Sequence, residues 1–365
     1  MASTAARHQG NWFDHASCRE VGIDFRTLTA IWKANIPAIV WMCSPLWIAP
    51  IILGLDGKTP EWDAIALFVI AVTVVMAIAE FANTYTDRDE DWLYFPSSPL
   101  VTGELDAGTA RRAFILQNMV AGALLIALVL VTHRYSLMMV LIVGWLVGLA
   151  YSLPPVRLKE TVASPFLTAL GLALLPIAAW LVVAPLNDFI IAFAAFFFVY
   201  SFGFGVTQKF RKTFHALNSG AIQIQQGSSI YDLRTVDLGL KVKTAMASEA
   251  IASLGAFMLV PVFWHLGIFD AELSISLLAL PLAFTVLSIG LRVKAPVENG
   301  QKCVLFMTMA WALIGLSLFA IALTSLIDWG FAVLACIVFL IGSVVLLGTM
   351  HPFGRKALTA PWQEL

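Results

Sequence analysis

Long apolar runs separated by short polar interruptions fill most of the chain. A membrane helix needs roughly 20 mostly apolar residues. Ten runs approach that length: 30–54, 63–84, 113–132, 136–153, 163–184, 187–206, 246–266, 273–292, 303–326 and 329–349. No extended alternation of the β-barrel kind is found. The pattern predicts an all-α polytopic transmembrane helix bundle of about nine or ten helices over residues 28–350. A cytoplasmic arm at 1–27 and a cytoplasmic tail at 351–365 flank it. The first 25 residues carry scattered charge and lack an apolar h-region, so they do not read as a cleaved signal peptide.

Composition sharpens this reading. The 365 residues are 60% hydrophobic and only 12% charged, against about 25% charged in a soluble domain. That excludes a water-soluble globule, a disordered chain and a disulfide scaffold. The net charge of −1 gives no footprint for nucleic acid. The four cysteines show no metal-type spacing.

Position of charge matters more than its sum. Lys and Arg accumulate in cytoplasmic loops. With a cytoplasmic N-terminus, 19 of the 22 basic residues fall inside; only Lys58 and Arg134 fall outside, and Lys33 lies in the first helix. The two long inside loops, 85–112 and 207–245, also hold many of the acids. The active site is therefore expected at the cytoplasmic mouth of the bundle.

The second apolar run ends in Asn83-x-x-x-Asp87-x-x-x-Asp91, interleaved with Arg88, Asp89 and Glu90. Spacing of i, i+4, i+8 puts Asn83, Asp87 and Asp91 on one face of a continuing helix. Like charges so spaced destabilise a helix by about 0.2–0.5 kcal/mol per pair, unless a cation joins them. Mg²⁺ usually takes one or two carboxylates and leaves positions for water and phosphate oxygens. An acidic face at the mouth of an apolar bundle suits a substrate with a phosphorylated head and a greasy tail. The bland alternative is a solvated helix end, and Asp89 and Glu90 point away from this face. Glu80, one turn deeper, reads equally as a functional carboxyl or as an interhelical hydrogen-bond partner.

Two later segments add to this. Tyr151-Ser-Leu-Pro-Pro-Val-Arg157-Leu-Lys159 is a turn, because its prolines cannot continue a helix. It presents Arg157 and Lys159 on the inside face. After the sixth run come Tyr231, Asp232, Asp237 and Lys241. A five-residue step turns about 140° around an ideal helix, so Asp232 and Asp237 can share a site only across non-helical backbone. Lys209, Arg211 and Lys212 read as an interfacial basic turn attracted to anionic lipid, in preference to a diphosphate clamp.

Asn83-x-x-x-Asp87-x-x-x-Asp91, followed by Pro99-Leu-Val-Thr-Gly103, resembles the first signature of the UbiA-type intramembrane prenyltransferase superfamily. The Tyr151–Lys159 turn resembles that family's YSxPPxxLK stretch, and Asp232…Asp237…Lys241-Val-Lys-Thr244 partly matches its second acidic signature. Ser98 replaces a basic residue of the pattern, Leu233 stands where an Asp is usual, and Lys241 stands in a glycine position.

The resemblance implies two Mg²⁺ ions held by Asp87, Asp91, Asp232 and Asp237, with Asn83 beside them, and bridged by a prenyl diphosphate. It implies that Tyr151, Arg157 and Lys159 lie near the diphosphate, with Lys241 as a further contact. Tyr231 either faces an allylic cation by cation–π contact or packs in the core.

The implied activity is transfer of a prenyl group to a probably aromatic acceptor, with release of diphosphate. The altered second motif keeps open a terpene cyclase on the same scaffold. A non-catalytic lipid-binding protein or a transporter is the reading from another class.

Overall fold

A computed structural model describes residues 24–35, 37–94 and 97–350. Most of the predicted N-terminal arm and all of the tail at 351–365 lie outside the described residues. The helices are α1 (Phe25–Ala34), α2 (Pro37–Cys43), α3 (Pro45–Leu55), α4 (Trp62–Tyr94), α5 (Pro99–Thr102), α6 (Ala107–Thr132) and α7 (Tyr135–Ser152). They continue as α8 (Ser164–Leu181), α9 (Asp188–Asn218), α10 (Val242–His265), α11 (Ala271–Leu278), α12 (Leu280–Lys294), α13 (Gly300–Thr324) and α14 (Trp329–Met350). Among the described residues there is no strand, only one isolated bridge between Arg234 and Lys241.

Among the described residues eight helices are long and apolar enough to cross a membrane, or nine with the bent pair at the start counted as one span. The bent pair is the first predicted run, broken between α1 and α3 with a 46° change of direction. Pro37 and Pro45 sit at helix starts there, where a missing N–H costs nothing. The eighth run is likewise divided at Ala279, and Pro281 lies in the first turn of α12. The tenth, α14, has a shorter apolar stretch at Trp329–Ser343.

Two helices run well beyond the apolar segments that announce them. α4 continues from residue 84 to Tyr94 and α9 from 206 to Asn218. Much of the two expected long loops is therefore helix. The segment 209–215, expected as a basic turn, is the last part of α9. The physical reason is burial: Phe210 and Phe214 stack with ring centroids 5.5 Å apart and are closed off from solvent. Apolar packing thus continues on one face while the other turns polar.

The core is centred on α9, which packs most extensively against α8 and α10. Phe193, Phe196, Phe197 and Tyr200 are fully buried. Phe196 and Tyr200 meet the Phe257 ring edge-on, and Phe197 reaches Trp311. Gly203 permits the closest approach of α9 to α10. A Cβ there would overlap Ser253 Oγ and lie 3.0 Å from the Glu249 carbonyl oxygen. Small residues that let backbones approach are the usual adhesive between membrane helices.

Capping fixes several helix starts. Asp106 accepts a hydrogen bond from the Thr109 amide at 2.9 Å, and that bond holds its carboxyl below the usual carboxylate range. Asn187 and Asp270 cap α9 and α11 in the same way. Residues such as Met119, Ile126 and Leu130 on α6 are exposed. An apolar surface of this kind belongs against lipid.

Candidate active site

The site forms where the polar extensions of α4 and α9 meet two connecting segments. On α4, residues 72, 75, 76, 79, 80, 83 and 87 repeat at three- and four-residue steps and line one cavity. That cavity has a volume of about 530 Å³. Its inner part is closed by apolar side chains, among them Val72, Leu141, Leu175 and Trp311. Its mouth carries Asn83, Asp87, Lys159, Lys209, Arg211 and Lys212.

Asp87 is the hub of the mouth. Its carboxylate pairs with Lys159, from the short 3₁₀ turn Leu158–Glu160. Arg157 Nη2 lies 3.5 Å from the same carboxylate and 2.9 Å from Glu90 Oε1, while Arg157 Nε pairs with Glu160 at 2.7 Å. Arg157 has φ of +31°, in the left-handed region. For a residue with a Cβ this is a strained conformation, and three carboxylates hold it there. Burial, together with the Lys212 and Lys209 charges, pushes the Lys159 ammonium down to about 7.

From the opposite side, α9 supplies the basic wall. Lys212 Nζ is 3.9 Å from Asp87 Oδ2, 3.6 Å from Glu90 Oε2 and 3.5 Å from Asp237 Oδ2. Lys209 Nζ donates to the Lys159 carbonyl at 2.8 Å and to the Tyr151 hydroxyl at 3.3 Å, and lies 3.6 Å from Asp237. Asp91 is buried and within electrostatic reach of Lys212 and Arg211.

Asp237 comes from the α9–α10 connection, in a stretch that follows the short 3₁₀ turn Ile230–Asp232 and is not itself helical. The Val236 amide donates to Thr213 Oγ1 at 3.0 Å, tying the connection to α9. The Thr235 amide donates to the Leu240 carbonyl, closing a turn through Gly239 at φ +62°. That turn buries Asp237 and leaves Asp232 on the outside. The Asp232 carboxylate accepts from the Ser229 amide at 3.3 Å and lies 3.9 Å from Lys241, with 59% of its side chain exposed.

The structure thus brings together Asn83, Asp87, Asp91, Tyr151, Arg157, Lys159 and Asp237. It does not bring Asp232, Lys241 or Tyr231 to the cavity. Tyr231 packs beside the buried cluster of Phe210, Phe214 and Leu238. Glu90 joins the site through Arg157, whereas Asp89 is exposed and, among the described residues, pairs with Arg88.

Lys209, Arg211 and Lys212 are the residues that sequence reasoning assigned elsewhere. One signal was available: Phe204, Gln208 and Lys212 continue at four-residue steps along the cavity face of α9.

The donor set is all oxygen and partly unsatisfied. Asn83 Oδ1 and Asp237 Oδ2 are buried without a hydrogen-bond partner. Among the described residues no group of three or more His, Cys, Asp or Glu stands ready as a metal cluster. Ammonium groups lie between the carboxylates instead, Lys212 being shared by Asp87 and Asp237. A hard divalent cation fits this chemistry, since it would compensate the same carboxylates and take up the Asn83 and Asp237 oxygens that lack a hydrogen bond.

The family model described as the UbiA prenyltransferase family matches residues 42–307. A solved structure of a digeranylgeranylglyceryl phosphate synthase is similar over 80% of this chain and 97% of its own, with 16% identity and a TM-score of 0.58. A UbiA homologue from Archaeoglobus fulgidus, bound to GPP and Mg²⁺, is 18% identical over 78% of this chain and 99% of its own, with a TM-score of 0.53. The same homologue bound to DMAPP and Mg²⁺ gives 18% identity, 78% and 99% coverage and a TM-score of 0.51. No curated protein matches the chain by sequence.

Proposed function

The chain belongs to the UbiA prenyltransferase family, and on that premise we propose that it transfers a prenyl group from a prenyl diphosphate to a lipophilic, aromatic acceptor. One observation carries this reading. Acidic and basic side chains converge at the mouth of an apolar cavity of about 530 Å³. Such a cavity suits a molecule with an anionic head and a long apolar tail. The prenyl diphosphates named with the Archaeoglobus homologue are of that kind.

Asp87, Asp91 and Asp237, with Asn83 beside them, would hold Mg²⁺, which supplies Lewis-acid neutralisation of charge on the departing diphosphate. Arg157, Lys159, Lys209 and Lys212 bind and orient the diphosphate by charge-assisted hydrogen bonds. Departure of the diphosphate breaks the C–O bond, and the electron pair leaves with oxygen. The apolar wall keeps water from the allylic cation that results. Tyr151, held by Lys209, borders the place where that cation forms. The mouth is assigned to the cytoplasmic side by the excess of Lys and Arg in the loops there.

The test uses purified protein in detergent with Mg²⁺ and geranyl, farnesyl or geranylgeranyl diphosphate, with and without a phenolic or quinol acceptor. The expected result is acceptor-dependent pyrophosphate release that is absent in Asp87→Ala and Asp91→Ala. Release of a cyclic product from the diphosphate alone would replace transfer by cyclisation. Binding of every diphosphate without release would overturn both.

A further inference from the structure

Prenyl capture has a second requirement that the charged mouth does not meet. When the new bond forms, the acceptor must lose a proton. In the cyclase alternative, a C–H beside the cyclised cation must lose one. At the mouth Asp87, Glu90 and Asp237 are paired with lysines or arginines and Asp91 lies within electrostatic reach of Lys212 and Arg211, and Asp87, Asp91 and Asp237 are the groups assigned to metal.

Glu80 is set apart from them by its depth. It lies on the cavity face of α4, seven residues before Asp87 and therefore about 10 Å deeper along the helix. Its side chain tilts toward the N-terminus of α4, into the apolar part of the cavity. Among the described residues its carboxyl has no hydrogen bond and no ion pair. Cys43, a free buried thiol, lines the same cavity. An ionisable group at such depth is costly, and retaining one marks a task.

We infer that Glu80 is the proton acceptor of the reaction, placed beneath the diphosphate site and facing the first part of the prenyl chain. The inference rests on the prenyl-transfer reading. The balance is simple. The C–O bond to diphosphate breaks and its electron pair leaves with pyrophosphate. The nucleophile's electron pair forms the new bond to the allylic carbon. The proton so released moves to a Glu80 carboxylate oxygen and leaves to water through the cavity mouth after the product departs. A carboxylate without a cationic partner gains most when positive charge develops beside it.

Glu80→Gln keeps size and removes the base. Glu80→Met suits the apolar wall, so folding does not depend on the carboxyl. Both variants, and Glu80→Asp, are to be compared with wild type for Mg²⁺-dependent binding of the prenyl diphosphate, for kcat and for the products extracted. The expected result is unchanged binding within about twofold, with kcat lowered about 10²–10⁴-fold in the Gln and Met variants. Any released prenyl group should emerge as the water-captured alcohol. Glu80→Asp should recover part of the rate.

Wild-type kcat and products in both Gln and Met variants would overturn the inference and leave the transferase reading standing. Loss of diphosphate binding in both would also overturn it, by making Glu80 a packing or binding residue. A wild type that binds but never releases pyrophosphate would remove the transferase reading and this inference together.

Discussion

The Lys159 ammonium and the Asp87 carboxylate form an ion pair in which the side chains are only 2% and 7% exposed. It ties the 3₁₀ turn after α7 to the end of α4. Removing one member of a buried pair costs about 3–5 kcal/mol, because the other charge is left uncompensated. Asp87→Ala should therefore lose stability and pyrophosphate release together. Asp87→Ala with Lys159→Met should regain most of the stability and none of the activity. Thermal unfolding in detergent measures the first, and a single variant that melts like wild type would refute the pairing.

Ligand linkage separates the two aspartates of the α9–α10 connection. A ligand that binds only the folded state at one hundred times its Kd stabilises by about 2.7 kcal/mol. Mg²⁺ with a prenyl diphosphate should raise the melting temperature of wild type, and chelation should remove the rise. Asp237→Asn should blunt it, while Asp232→Asn, an exposed turn residue, should leave it intact. Equal loss in both would place Asp232 back among the ligands.

The basic residues give a parallel contrast. A hydrogen bond to a charged group contributes about 1.5–3 kcal/mol. Lys212→Ala should accordingly weaken diphosphate binding by about 10- to 150-fold. Lys241→Ala, at a residue 65% exposed and paired with Asp232, should not change it. Equilibrium binding of a non-hydrolysable prenyl diphosphate analogue gives the ratio.

A second buried pair lies outside the cavity. Glu249 on α10 pairs with Arg292 on α12 and accepts from the Thr207 hydroxyl at 2.7 Å. The Arg292 guanidinium lies over the Phe210 ring at 4.5 Å. Glu249→Ala should lower stability by about 3–5 kcal/mol, with the KM of the remaining folded enzyme unchanged. A raised KM at wild-type stability would show that the pair serves the substrate instead.

Much of this was legible in the residues. The apolar runs announced the spans because membrane helices need length and apolarity and little else. Asn83, Asp87 and Asp91 were visible because helical spacing converts directly into a shared face. Lys209 and Lys212 were not, because a buried lysine and a lipid-facing one read alike until Asp237 is known to lie opposite. The exposed position of Asp232 was hidden for a related reason. Spacing alone required non-helical backbone for Asp232 and Asp237 to meet, but which of the two that backbone buries is set by hydrogen bonds from the Thr235 and Val236 amides that spacing does not reveal. Glu90, read from its position on α4 as either solvated or supporting the site from beside the ligand face, takes the second role through Arg157 and Lys212.

The continuity of α9 carries a consequence for how variation can act on this protein. One rod holds Phe196 and Tyr200 in the core and Lys209 and Lys212 at the mouth, clamped to α10 at Gly203. A bulkier residue at Gly203 cannot be absorbed locally, since Ser253 and the α10 backbone stand in its way. The rod must then shift as a unit, and its cations shift with it. A change of one methyl group deep in the apolar interior would thus be felt as a displaced charge at the opposite end of the helix.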